Sequence, residues 1–396
     1  MNSGPPGETF ACDRAGALQR LAGFAPRMGP HYAAGRNTDA GPGQRQDVSR
    51  LSPALRHRLV TEREVVATAL ATHGLQGAEK FIQEVFWRSY WKGFLELRPE
   101  LWVTYQHELA QALMGLRIQG GSRRAAERAE AGETGIACFD AWMTELRETG
   151  WLHNHARMWF ASIWIFTLRL PWTLGADLFL RHLLDGDAAS NTLSWRWVAG
   201  MQTRGKHYVA RAENIARYTN GRFDPRGELE ENPLPLEAPP LPPVQKLRAG
   251  DALPRGPVAL LLHEDDLHAE SLLPPGTRVT AVAGLAVPEA RSPLGCSALV
   301  AGYVRTALAD GVARAGAHFN APKVMLAPRD LAGWIAAQPV PVVSPWAPVG
   351  WTAEALAGVK LLRLRRGWDD ACWPRATKGF FPFKAGIPAL IEAIAA

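Results

Sequence analysis

A proline-dense stretch, ENPLPLEAPPLPPVQ within residues 227–256, divides this 396-residue chain into two parts of different periodicity. It carries neither helical nor alternating spacing and reads as a semi-extended linker. Before it, residues 1–226 follow a helical pattern. Within 79–97, Phe81, Ile82, Val85, Phe86, Trp87, Tyr90 and Phe94 recur at helix spacing, and 142–152, 158–170 and 178–184 continue in the same way. After it, residues 257–396 alternate short apolar runs (258–262, 278–283, 324–327, 340–343, 359–364) with helical stretches (297–315, 330–337, 387–395). That alternation predicts an α/β layer with a largely parallel sheet. Residues 119–135 are polar and glycine-flanked and read as an exposed connection. The expected fold is an all-helical domain, a linker, and a smaller α/β, Rossmann-like domain.

The basic excess lies in the first part: 27 basic and 22 acidic residues through Pro225, against 17 and 16 after it. It permits a polyanionic partner. Cys12, Cys138, Cys296 and Cys372 are scattered, with no CxxC, which argues against a zinc ribbon or a dense disulfide scaffold. No metal site is expected. The N-terminus lacks a basic-then-apolar leader pattern, and Arg157, Arg169 and Asp177 interrupt the most apolar region. A soluble, cytoplasmic protein without membrane contact is the expectation. No GxGxxG or Walker A sequence marks the α/β part.

Three segments of the helical part carry unusual chemistry. YAAGR (32–36) is followed by VSRLSPALR (48–56), EVFWRSYW (84–91) comes next, and GWLHNHARMWFAS (150–162) leads to LLDGDAASNTLSWRW (183–197). In the last, Asp185, Asp187 and Asn191 lie beside Trp195 and Trp197, with Arg157 available as a carboxylate partner. An ion-paired, aromatic core is the structural alternative for any one of these residues. Ser52 before Pro53 is a favoured helix start, with Ser52 as cap, and such a start binds phosphate well.

Together these segments resemble the flavin-binding domain of the DNA photolyase and cryptochrome family. Five motifs stand in family order between about Cys12 and Pro225: YxxxR, SxLSP, ExxWR, TGIACFDAWM (134–143) followed by HNHARM (153–158), and DGDAASNTLSWRW (185–197). The resemblance implies a helical domain holding FAD as a flavoprotein chromophore. Tyr32 would contact the cofactor, and Ser49, Leu51 and Ser52 would hold its pyrophosphate. Arg157 and Asp185 would pair beside the flavin, Gly186 and Asp187 would meet the ring edge, and Asn191 would face N5. It also implies a cavity for a pyrimidine dimer flipped out of damaged DNA. There Glu84 would hydrogen-bond the lesion, Trp87 and Trp197 would stack on it, Asn154 and Met158 would line the space, and Arg36 would lie at the rim. HNxxRM favours the cyclobutane dimer over the (6-4) lesion. The implied chemistry is light-driven electron transfer, with Trp195 and Trp172 as the first members of a tryptophan chain that is either interrupted after them or finished by another residue such as Trp151, Trp159 or Trp164.

Several features depart from the family. Val48 stands where members often carry Thr, and His155 where photolyases often carry Arg. The third tryptophan position, in 115–125, has no Trp. The flavin domain comes first, whereas typical members begin with an α/β antenna domain, so residues 257–396 read either as a transposed or degenerate antenna-type domain or as an unrelated α/β partner domain. The leading expectation is a deoxyribodipyrimidine photolyase, a DNA-repair lyase. The rivals are a cryptochrome-like photoreceptor signalling to a partner through residues 257–396, and a flavoprotein scaffold without photochemistry.

Overall fold

The computed structural model describes residues 9–395. Five helices come first: α1 (Arg14–Phe24), α2 (Pro30–Gly35), α3 (Ser52–Arg56), α4 (Glu62–Gly77) and α5 (Glu79–Glu96). Seven follow: α6 (Glu100–Ile118), α7 (Gly120–Ala131), α8 (Ala137–Thr149), α9 (Asn154–Ser162), α10 (Trp172–His182), α11 (Ala188–Val198) and α12 (Ala212–Tyr218). The remainder is β1 (Val258–His263), β2 (Val279–Leu285), α13 (Ala298–His318), β3 (Lys323–Leu326), α14 (Leu331–Ala336), β4 (Val342–Pro345), α15 (Trp351–Ala355), β5 (Leu362–Leu364), α16 (Gly367–Cys372), α17 (Phe380–Ala385) and α18 (Ile387–Ala395). The chain thus has the expected helical part followed by an α/β part.

By contact the chain gathers into two compact units. One holds Ala34–Val48 and Glu100–Pro243; the other holds Phe10–Ala33, Ser49–Pro99 and the chain from Val244 on. Residues 227–256 contain no helix or strand. Their first half is strapped to the helical unit by Glu230 N–H to Thr167 Oγ1 at 3.1 Å and Leu236 N–H to the Ala199 carbonyl at 2.9 Å. Their second half joins the other unit, through Gln245 N–H to Leu97 O and Asp251 N–H to Arg363 O, each 2.8 Å.

In the helical unit, α8 buries Cys138, Phe139, Trp142, Met143 and Leu146, one stripe at helix spacing. Phe139 stacks on Phe160 at 4.2 Å and Trp142 on Trp159 at 5.5 Å, both from α9. Residues 119–135 correct the expectation of a connection, because Gly120–Ala131 is helical. Its alanines, arginines and glutamates are good helix formers, and it buries Ala126 and Ala129 while its charges face water. The helix expected over 158–170 also differs: α9 passes into a π-helical turn, Ile163–Thr167, in which Leu168 N–H reaches the Ile163 carbonyl at 2.8 Å.

In the other unit the five strands form one parallel sheet in the order β3-β2-β1-β4-β5. β1 is buried along its whole length, as a strand between two parallel neighbours requires. Ala259 pairs with Ala281 on one side and Val342 on the other. In such sheets the carboxyl ends of β1 and β4 flank the crevice where ligands bind. Here His263 Nε2 bonds the Pro345 carbonyl across that point at 2.9 Å, and buried ion pairs fill the space beyond. Arg56 meets Asp265 at 2.5 Å, Arg291 meets Glu264 at 3.4 Å, and Trp351 Nε1 donates to Glu264 at 3.0 Å. Burial opposes the charge of Asp265, but Arg56, His263 and Lys92 outweigh it and hold the carboxyl down at about 2.

Candidate functional site

Most of the expected site residues lie in the helical unit, around the turn between α10 and α11. Arg157 donates Nη1 and Nη2 to the two oxygens of Asp185 at 3.0 and 2.9 Å, and Nε to the Leu152 carbonyl at 2.9 Å. This fork-to-fork pairing fixes both side chains in one plane. Asp185 is buried, whereas Arg157 keeps 23% of its side chain accessible, so the pair has one open side. Gly186 turns the chain, its N–H reaching the Leu183 carbonyl at 3.1 Å.

Asp187 caps α11: Oδ1 accepts from Ala189 N–H at 3.1 Å, Ser190 N–H at 2.9 Å and the Ser190 hydroxyl at 3.2 Å. One turn on, Asn191 donates Nδ2 to the Ala176 carbonyl at 2.8 Å. Only the amide nitrogen can donate to a carbonyl, so this bond orients the side chain and makes Oδ1 its remaining acceptor. Trp195 follows on the same helix, edge-on to Phe179 at 5.1 Å and Trp164 at 6.5 Å. Glycine at 175 makes the seat, since a Cβ there would lie 2.3 Å from the Trp195 ring. The Trp195 indole N–H is buried and has no hydrogen-bond partner.

Trp172 opens α10, with Nε1 donating to Glu108 at 3.2 Å and Arg196 5.9 Å from its ring. Its aromatic neighbour is Tyr105 at 5.8 Å, which in turn lies 5.1 Å from Trp102. Of the three tryptophans expected to complete the chain, Trp164 adjoins Trp195. Trp159 stacks on Trp142 and His155, and Trp151 lies under Arg45 and Arg157. Tyr105 and Trp102 were not singled out in the sequence, although their three-residue spacing on α6 places them on one face.

The residues expected at the lesion are divided. Trp197 is half-buried and stacks on Tyr208 at 5.7 Å. Asn154 is exposed and its amide approaches the Met158 sulfur at 3.9 Å. The Arg36 carbonyl accepts from His153 Nε2 at 3.1 Å, which ties that segment to the start of α9. His155 bonds the Asn37 carbonyl at 3.0 Å and Tyr208 Oη at 3.2 Å, and stacks on Trp159 at 4.1 Å. Burial pushes its pKa down and favours the neutral ring.

The other unit holds Tyr32, Ser49, Leu51, Ser52, Glu84 and Trp87. Tyr32 is buried edge-on to Phe81 at 5.1 Å. Ser49 Oγ accepts from Leu51 N–H at 3.3 Å, across Arg50 at φ 54°. That tight turn delivers the chain to α3 one residue early, so Leu51 takes the cap position and Ser52, expected as the cap, is the first helical residue. Glu84 and Trp87, three apart on α5, are half-buried on one face. Phe380 stacks on Trp87 at 3.5 Å and 13°, a neighbour the sequence pattern did not reveal.

The donor set of the helical unit fits FAD. A half-open Arg157–Asp185 fork suits a polar ring edge, and an Asn191 oriented by Ala176 leaves an acceptor suited to a reduced ring N–H. Among the described residues no helix is long and apolar enough to cross a membrane.

The family model for the FAD binding domain of DNA photolyase matches residues 81–235. A deoxyribodipyrimidine photo-lyase of Streptomyces griseus is 33% identical over 202 residues, 48% of this chain and 43% of the relative. That of Escherichia coli is 31% identical over 232 residues, 57% of this chain and 47% of the relative. The chain therefore spans less than half the length of these relatives. Among solved structures, a bacterial class III photolyase from Agrobacterium tumefaciens aligns with a TM-score of 0.44 and 26% identity, over 52% of this chain and 43% of that one. Residues 81–235 thus correspond to the FAD-binding domain of the photolyase/cryptochrome family, and the likeness to these relatives rests on that part of the chain.

Proposed function

We propose that this protein is an FAD-dependent, blue-light-driven photolyase that repairs cyclobutane pyrimidine dimers in DNA. The observation that carries this reading is the orientation of Asn191, whose amide nitrogen is held by the Ala176 carbonyl. An acceptor fixed there favours the reduced form of a flavin, the form that can give up an electron. FAD, when bound and reduced, supplies under blue light the electron that splits the dimer. The protein's part is to hold and orient. The Arg157–Asp185 fork with Gly186 and Asp187 would hold the ring edge, and Tyr32, Ser49, Leu51 and Ser52 would hold the rest of the cofactor. Glu84 would hydrogen-bond the extruded lesion, Trp87 and Trp197 would stack on it, Asn154 and Met158 would line the space, and Arg36 would lie near phosphate at the rim. Trp195 and Trp172 would relay to the flavin an electron taken at the surface from an external one-electron reductant such as a thiol, which is oxidised in turn, with Tyr105 and Trp102 continuing the aromatic path from Trp172.

The runner-up is a cryptochrome-like photoreceptor without repair activity, acting on a signalling partner. His155 is the observation in its favour: it is committed to Asn37, Tyr208 and Trp159 and favours the neutral form, so it supplies no fixed cation to DNA. In either case we regard residues 257–396 as a degenerate, transposed antenna-type domain. At its strand ends Arg56 pairs with Asp265 and Trp351 Nε1 donates to Glu264, so these side chains are engaged with one another there.

The test is direct. The photoreduced protein is mixed with an oligonucleotide carrying one cyclobutane thymine dimer and illuminated with blue light, and thymine absorbance is followed. Recovery is expected, and its loss in a Glu84→Ala, Trp87→Ala double variant that still binds FAD would tie it to these residues. No recovery from a protein that binds and photoreduces FAD would transfer the assignment to the photoreceptor.

A further inference from the structure

We infer that residues 373–386, WPRATKGFFPFKAG, form a second DNA-contact surface, in which Phe381 acts as a wedge in the duplex beside an extruded lesion. This rests on the proposal above that Trp87 receives the lesion. The segment lies outside the span matched by the FAD-domain family, 81–235. It carries Arg375, Lys378 and Lys384 and no acidic residue.

It is held rigidly on α5. Phe380 stacks on Trp87 at 3.5 Å, Tyr90 Oη donates to the Lys378 carbonyl at 2.9 Å, and Arg98 Nη2 donates to the Thr377 carbonyl at 2.7 Å. Gly93 permits the approach, because a Cβ there would lie 2.7 Å from Trp373 Cα. Within α17, Phe380 and Phe383 are three apart and buried against α5. Phe381 is turned the other way and is 83% exposed.

A single exposed apolar side chain is ordinary on a protein surface. This one differs in its setting. It is the next residue to the ring stacked on Trp87, its backbone is anchored, and exposed cations stand at Arg375 and Lys378. Lys384, at 3.5 Å from Glu79, is partly engaged and is the weakest contributor. A polyanion with an apolar interior matches that combination. The cations meet phosphates, and an apolar ring enters between base steps where the stack is already weakened by an extruded nucleotide.

The test compares full-length protein with Phe381→Ala, Arg375→Ala/Lys378→Ala and Trp87→Ala variants. Binding is measured by fluorescence anisotropy, over a salt series, on a duplex with one thymine dimer, the same lesion in a single strand, and the undamaged duplex. A wedge has a role only in a duplex. Phe381→Ala should weaken binding to the damaged duplex about tenfold and to the single strand less than twofold. The double variant should weaken all three and flatten the salt dependence of duplex binding by a slope of about 1–2. Circular dichroism should be unchanged, because all three side chains are exposed. If both variants bind like wild type while Trp87→Ala loses lesion binding, the surface is overturned and the repair reading stands. If wild type shows no preference for the lesion, the repair reading fails and the wedge with it. The cationic surface then survives only if the double variant loses at least fivefold on undamaged duplex.

Discussion

Two arginine–aspartate clusters, one in each unit, show how the same chemistry serves different ends. In the unit with the sheet, Arg58 is enclosed by Glu62 and Asp266, each at 3.1 Å, and Asp369 at 2.7 Å. Arg366 grips the far side of Asp266 at 2.6 and 2.8 Å. All but Arg366 are buried. In the helical unit, Arg157 holds Asp185 alone and keeps an open side. Protein groups saturate the first cluster, so its integrity is a matter of folding. The second keeps an accessible side, so under the proposed function its integrity is a matter of binding.

The sharpest way to break this contrast is Arg58→Met. It removes the cation shared by three buried carboxylates, so Glu62 and Asp369 lose their paired arginine while Asp266 keeps Arg366. The expected loss is about 3–5 kcal/mol of unfolding free energy, read from urea denaturation of the whole chain. A loss under about 1 kcal/mol would mean that the cluster is not structural, and the contrast would fall.

The contrast also explains what the sequence disclosed and what it withheld. The motif residues were legible because their spacing is local: Asp185, Asp187, Asn191 and Trp195 follow one turn and one helix. All five strands were legible as short apolar runs, within a few residues at each end. The partners of Arg58 were not. They come from α4, the end of β1 and α16, separated by up to 311 residues in sequence. Nothing in local periodicity reports such a meeting. Phe380 on Trp87 was hidden for the same reason, with 293 positions between them. Segment 119–135 reads as a connection because of its flanking glycines, Gly120, Gly121, Gly132 and Gly135, but the alanines and arginines between them carry a helix.

Arg157→Lys sharpens the other half of the contrast. Lysine keeps the positive charge opposite Asp185 but loses the planar fork. Because the pair is half-open, unfolding free energy should change by no more than about 1 kcal/mol. FAD retention, measured by flavin absorbance after ultrafiltration, should fall at least tenfold. A variant that holds FAD as wild type does would place Arg157 with Arg58, as a structural residue.

The smallest effect concerns two carboxyl groups, one governed by a paired arginine and one governed by burial. Asp265, beside Arg56, is held down at about 2, but Glu96 is pushed up to about 7, chiefly by burial, while accepting Val349 N–H at 2.8 Å. The signs are opposite. Asp265 contributes stability that is complete above the unfolded carboxyl range near 4 and fades as pH falls toward 2. Glu96 is protonated in the folded chain at a pH where the unfolded chain has lost that proton. Its contribution is therefore lost as pH rises from about 4.5 through 7, by on the order of 1–2 kcal/mol once its partial exposure is allowed for. Urea midpoints taken at half-unit steps between pH 4.5 and 8 should show that decline in wild type and a flatter profile in Glu96→Gln. Both carboxyls lie in one unit, so an unchanged slope in Glu96→Gln would mean that burial does not raise this group and that a positive neighbour, Arg365, offsets it as Arg56 does for Asp265.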